Sequence, residues 1–82
     1  MSMTKDQVRR ASKNCDAAFQ IYISEAMETH RLLSSLSDEV SLPDRAQVME
    51  QRIRENEAQI AYVEARSALF DVLTKNMRAP GV

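Results

Sequence analysis

Residues 46–77 read AQVMEQRIRENEAQIAYVEARSALFDVLTKNM, with neither Gly nor Pro among them. Ala46, Met49, Ile53, Asn56, Ile60, Val63, Ser67, Phe70, Thr74 and Met77 follow one another there at alternating steps of three and four. On an α-helix those steps place all ten on one narrow face. A long helix with such a face is suited to lie against another helix. The stretch therefore predicts one helix of coiled-coil character and a helical neighbour.

The neighbour is found upstream. Residues 3–42 also lack Gly and Pro. An apolar stripe runs through Val8, Ala11, Cys15, Ala18 or Phe19, Tyr22, Ala26, Thr29, Leu33, Leu36 and Val40, again at steps of three and four. Thr4-Lys5-Asp6-Gln7 fits a capping box, which predicts a helix over about residues 5–37. Between the two patterns, residues 37–43 hold Ser37, Asp38, Glu39, Ser41 and Pro43, all turn or cap types. A loop is expected over about 38–43, with Leu42 held out of the α region by the following proline. The second helix is expected over about 44–78, capped either by Ser41 with Asp44 three later or by Asp44 with Gln47 three later. Ala79-Pro80-Gly81 should stop it. The expected fold is thus all-α, one domain over residues 1–82, an antiparallel two-helix hairpin. Pairing about the loop places Phe19 near Ile60 and Val8 near Phe70. A break inside residues 5–37, giving a third helix, is the alternative.

One hairpin does not cover all the apolar surface. Tyr62, Ala65, Leu69, Val72 and Leu73 form a second stripe beside the first, and Ile21 and Ile23 lie off the main stripe of the first helix. A stripe wider than about 100° implies more than one neighbouring helix. A core of this size supplies only a few kcal/mol by itself. Self-association covering the second stripe is expected, most economically a homodimer forming a four-helix bundle; docking onto a helical partner is the other route. Lys5, Arg9, Arg10, Lys13, Lys75 and Arg78 gather at the open end of the hairpin, while Glu25, Glu28, Asp38, Glu39 and Asp44 lie in the half near the loop. Hairpins with loops at opposite ends would set the two groups against each other, a bias on orientation rather than a driving force.

Composition narrows the function. The chain has 82 residues, is 44% hydrophobic and 28% charged, and carries a net charge of −1. Bulk attraction to nucleic acid or to an anionic membrane is not indicated. No run approaches the roughly 18 apolar residues of a membrane span, the first residues lack a signal-peptide pattern, and a cytoplasmic home is expected. The single Cys15 permits no internal disulfide. It shares its stripe with Ala11 and Ala18 and reads as a small buried hydrophobe rather than a nucleophile.

His30 is the only histidine and has no carboxylate at Glu-x-x-His spacing, since position 27 is Met; a surface role fits better than a metal ligand or base. Asp6–Arg10, Glu50–Arg54 and Asp71–Lys75 have the spacing of i,i+4 ion pairs, and Glu55 and Glu57 are expected to face solvent. The one glycine, Gly81, rules out a glycine-rich phosphate loop. No catalytic, metal or cofactor-binding constellation assembles from these residues.

The expectation is a non-enzymatic protein–protein interaction module. Its packed surface is expected to comprise Val8, Ala11, Cys15, Phe19, Tyr22, Ala26, Leu33, Leu36, Met49, Ile53, Ile60, Val63, Leu69, Phe70 and Leu73. Phe19, Tyr22, Tyr62, Leu69 and Phe70 are the expected interface anchors. Asn56, polar on an otherwise apolar seam, is expected to fix register and oligomer state. The alternative is a small RNA-binding dimer contacting nucleic acid through Lys5, Arg9, Arg10, Lys13, Lys75 and Arg78, a cluster diluted by acids and without interleaved aromatics. A third reading places a small molecule between the helices near Tyr22 and Tyr62.

Overall fold

A computed structural model describes residues 2–36 and 40–77, with the backbone alone for 2–4, 76 and 77. Helix α1 spans Ser2–Ser34 and helix α2 spans Leu42–Met77, about 50 and 54 Å long at 1.5 Å per residue. They pack along each other as an antiparallel hairpin, and all regular structure among the described residues is helical. The radius of gyration is 18.6 Å and the extents are 64 × 22 × 15 Å. A globule of this length would have a radius of about 12 Å, so the molecule is a rod. The first helix is unbroken, which removes the three-helix alternative.

The helix ends differ in detail from expectation. Thr4 lies inside α1 rather than at its cap, because the helix starts at Ser2. Its C-terminus comes at Ser34 and not near residue 37. There Ser35 N donates to Arg31 O at 3.1 Å and to Leu32 O at 3.2 Å, and Leu36 N donates to Leu33 O at 3.4 Å. The Ser35 hydroxyl also donates to Leu32 O at 2.9 Å. These bonds occupy carbonyls that the helix end would otherwise leave open.

Of the two cap readings for α2, Ser41 prevails: its Oγ accepts from Asp44 N at 3.2 Å, and its carbonyl accepts from Arg45 N at 3.1 Å. Leu42 is therefore the first helical residue despite the proline after it. Pro43 falls in the first turn, where a missing N–H costs little. The expected turn residues Ser37, Asp38 and Glu39, and the stop at 79–81, lie outside the described residues.

The seam between the helices is regular. On α1, Val8, Ala11, Cys15, Ala18, Tyr22, Glu25, Thr29 and Leu32 are buried or half-buried at steps of three and four, and Leu36, just past the helix end, continues the series. On α2 the matching series is Val48, Gln51, Glu55, Ala58, Tyr62, Ala65, Leu69 and Val72. Small side chains (Ala11, Cys15, Ala18, Ala58 and Ala65) recur on both sides and let the helices approach closely. Among the described residues the buried apolar ones are Leu32 and Ala58, and no side chain is below 2% exposure. The hairpin core is thin.

The two stripes of α2 thus exchange their expected roles. The series from Ala46 to Thr74 was expected to face α1, yet Met49, Ile53, Ile60, Val63 and Phe70 are 41–59% exposed. The second stripe, expected to await a partner, forms the hairpin instead through Tyr62, Ala65, Leu69, Val72 and Leu73. Each member of the inner series lies two residues after a member of the outer one, which sets the two stripes about 160° apart around the helix. Helix α2 is accordingly apolar on opposite sides, with almost no net amphipathic direction, whereas α1 has one dominant apolar face, with Ile21, Met27 and Leu33 exposed outside it. On α1 the expected stripe holds at Val8, Ala11, Cys15, Ala18, Tyr22, Ala26, Thr29 and Leu36, which are half-buried, but Leu32 is buried in place of Leu33.

Candidate interaction surface

The middle of the hairpin is aromatic. Tyr22 and Tyr62 stack with ring centroids 6.0 Å apart and an interplanar angle of 6°. Phe19 meets Tyr62 at 5.2 Å, tilted by 55°. The Arg66 guanidinium lies 5.4 Å from the Tyr62 ring centroid, within cation–π range. Phe19 was expected beside Ile60; the aromatic on the inward face two residues on takes that place. Of the expected anchors, Tyr22, Tyr62 and Leu69 therefore lie on the seam, Phe19 sits at its edge, and Asn56 and Phe70 are on the outer face.

Toward the loop the seam turns polar. Gln51 is 4% exposed. Its Nε2 donates to the Glu25 main-chain carbonyl at 3.0 Å and to Glu25 Oε1 at 3.3 Å. Thr29 Oγ1 donates to the same carbonyl at 3.0 Å. No buried side-chain nitrogen or oxygen among the described residues lacks a partner. Glu55, expected in solvent, is half-buried on this seam, while Glu57 is exposed.

Nothing in the 46-to-77 pattern marks Gln51, because it belongs to the other series. Only the spacing from Val48 through Ala58 and Tyr62 to Val72 would have located it.

The outer face of α2 remains. Its central row runs Met49, Ile53, Asn56, Ile60, Val63, Ser67, Phe70 and Thr74, every one exposed. One edge of the row carries Glu50, Glu57, Glu64 and Asp71; the other carries Arg45, Arg52, Gln59 and Arg66. These edge residues are exposed as well. The face is an apolar strip with an acidic border on one side and a largely basic border on the other.

Cys15 is half-buried on the seam. His30 is exposed, its Nε2 3.4 Å from Ser34 Oγ. Lys5, Arg9 and Lys13 follow one another at i,i+4 on α1 and are exposed; Arg10 turns to another flank and shares a groove with Lys75 and Glu64. The basic group is thereby divided between two faces, and Arg78 lies outside the described residues.

None of the ion pairs Asp6–Arg10, Glu50–Arg54 and Asp71–Lys75 is closed. Among the described residues the ion pair is Glu28–Arg31, with Arg31 Nε donating to Glu28 Oε2 at 3.0 Å and Oε1 at 3.2 Å, and Nη2 also on Oε1. The hydrogen bond from Arg31 holds the Glu28 carboxyl below its ordinary range, and the bond to Glu28 raises the Arg31 guanidinium. No helix among the described residues is long and apolar enough to cross a membrane.

Compared with protein-family models, with curated proteins and with solved structures, the chain matches none.

Proposed function

We propose that this protein is a non-enzymatic helical interaction module whose working surface is the outer face of α2. The observation that carries the reading is the row of large apolar side chains, from Met49 to Phe70, left exposed on the side of α2 opposite α1. Single exposed apolar residues are ordinary, but a contiguous strip with polar borders marks an association site. Its three-four spacing fits another helix rather than a flat sheet or a small ligand. The thin hairpin core points the same way, since a second layer of packing would add the burial that two helices lack.

The RNA-binding alternative has less support, because its basic residues are split between two faces and stand beside Glu64. The small-molecule reading is weaker still: Tyr22 and Tyr62 stack on each other.

The test is photo-crosslinking in the cells that make the protein. The photoreactive residue p-benzoyl-phenylalanine replaces Phe70 on the outer face or, as a control, Gln20, exposed on α1. A discrete adduct from the Phe70 site and none from the Gln20 site is expected. Equal yields at the two sites, or no adduct at either, would overturn the proposal.

A further inference from the structure

The geometry points to a second copy of this chain as the occupant of that face, with the two α2 helices parallel, in register, and the loops of both hairpins at the same end. This rests on the interaction-module reading and names its partner. In heptad terms Ala46, Ile53, Ile60 and Ser67 are a positions, and Met49, Asn56, Val63 and Phe70 are d positions. The acidic border is then the e series and the basic border the g series. In a parallel pair, each g residue faces the e residue five positions later on the other helix. Arg45 then meets Glu50 of the second copy, Arg52 meets Glu57 and Arg66 meets Asp71, and two-fold symmetry makes each pair twice. Gln59 meets Glu64 without like-charge conflict.

An antiparallel pair gives the opposite result. There e faces e and g faces g, so Glu57 lies against Glu64 and Glu50 against Asp71. Like charges placed opposite each other at a docked surface disfavour that arrangement. The apolar row does not choose between the two, since each sets Ile53 and Ile60 against apolar residues. The borders make the choice.

Asn56 fixes the remaining freedom. In the parallel register its carboxamide meets that of its own copy, and the two can hydrogen-bond. A slip of one heptad would set it against Met49 or Val63 and leave it unpartnered. Ser67 likewise meets Ser67.

The earlier expectation of loops at opposite ends relied on charges gathered at the hairpin ends. Lys5, Arg9, Arg10, Lys13, Glu25 and Glu28 all belong to α1, on the far side of α2 from this face, and do not meet the second copy. The assembly is a row in which α1 and α2 lie beside the α2 and α1 of the second copy.

Two measurements on the purified full chain test this. In a Cys15→Ala background, Met49→Cys is oxidised alone and in a mixture with Thr74→Cys. Parallel pairing predicts disulfide dimers from Met49→Cys alone. Antiparallel pairing predicts that only the mixture cross-links, because Met49 would then face Thr74; that outcome overturns the orientation.

Sedimentation equilibrium is the second measurement, with helicity checked by circular dichroism. Arg52→Glu should raise the dissociation constant by roughly tenfold, and adding Glu57→Arg should restore it. A double variant tighter than the parent would also speak for the antiparallel form. A fully helical monomer at roughly 100 µM overturns self-pairing. The interaction-module reading would survive that result if the Phe70 photo-adduct contains another protein, and would fall with it if no adduct forms.

Discussion

The Gln51 side-chain amide reaches across the hairpin and donates to the main-chain carbonyl of Glu25 at 3.0 Å. The two residues stand 26 apart in sequence, and the contact fixes how far one helix can slide along the other. A heptad slip would carry the amide about 10 Å from that carbonyl. Position 51 thus sets register within the hairpin, as Asn56 sets it between copies in the proposed pair.

Gln51→Ala should lower stability by about 1 kcal/mol, the usual net worth of such a bond. Gln51→Leu should be nearly neutral, because the Glu25 carbonyl keeps the Thr29 hydroxyl at 3.0 Å and the leucine refills the space. Combining Gln51→Leu with Thr29→Val removes both side-chain donors to one carbonyl. The pair should therefore cost more than the sum of the single changes. Urea denaturation at a fixed protein concentration, followed by circular dichroism, measures the parent and all four variants. Strict additivity would show that the carbonyl does not couple these side chains.

Leu32 and Leu33 adjoin in sequence and differ in fate: Leu32 is 7% exposed and Leu33 is 50% exposed. The spacing of the α1 stripe led to Leu33, but the seam continues through Leu32. Leu32→Ala should cost about 2–3 kcal/mol, toward the low end for a buried leucine because the core is thin. Leu33→Ala should cost well under half of that. Equal losses in the same denaturation experiment would place the α1 face one residue away from where the structure has it.

How much was legible follows from such pairs. Both Ser41 and Asp44 fit as the α2 cap, and the bond from Asp44 N to the Ser41 hydroxyl decides between them. The two helices and the break before Pro43 can be read directly, because proline and the absence of other breakers act locally. Which face of α2 meets α1 cannot. The outer row has the larger residues (Met49, Ile53, Ile60, Phe70) and dominates any count of hydrophobicity. The inner row holds small residues, Ala58 and Ala65, buried or half-buried on a seam whose α1 side carries Ala11, Cys15 and Ala18. Size match across two helices is a property of the pair, and neither segment displays it alone. The polar Gln51 broke the inner row and hid it further.

The Glu28–Arg31 pair provides a pH-dependent observable. The hydrogen bond from Arg31 lowers the Glu28 pKa in the folded chain. A lowered folded-state pKa contributes stability above the unfolded value, and that contribution is lost as pH falls through the folded one. Both groups are exposed, so the effect on stability is small and salt-sensitive. The clearer measurement is the titration of the Glu28 carboxyl carbon by NMR. Arg31→Met should move its midpoint upward to that of an ordinary glutamate. An unchanged midpoint would mean that the pair is not formed in solution.

Asn56 stands exposed in the middle of the outer row, between Ile53 and Ile60. In the single hairpin it touches no seam, so Asn56→Leu should leave hairpin packing alone. In a pair of α2 helices it is a polar residue at a core position, which lowers stability while specifying alignment. Asn56→Leu should therefore raise the midpoint of thermal unfolding at fixed concentration, and the sharp dimer should give way to a mixture of oligomers in sedimentation velocity. The two readouts must move together, because removing the carboxamide relieves its desolvation and also ends its veto on slipped registers. A variant with unchanged melting and a sharp dimer would place Asn56 outside the contact, and would require the two copies to meet on another face.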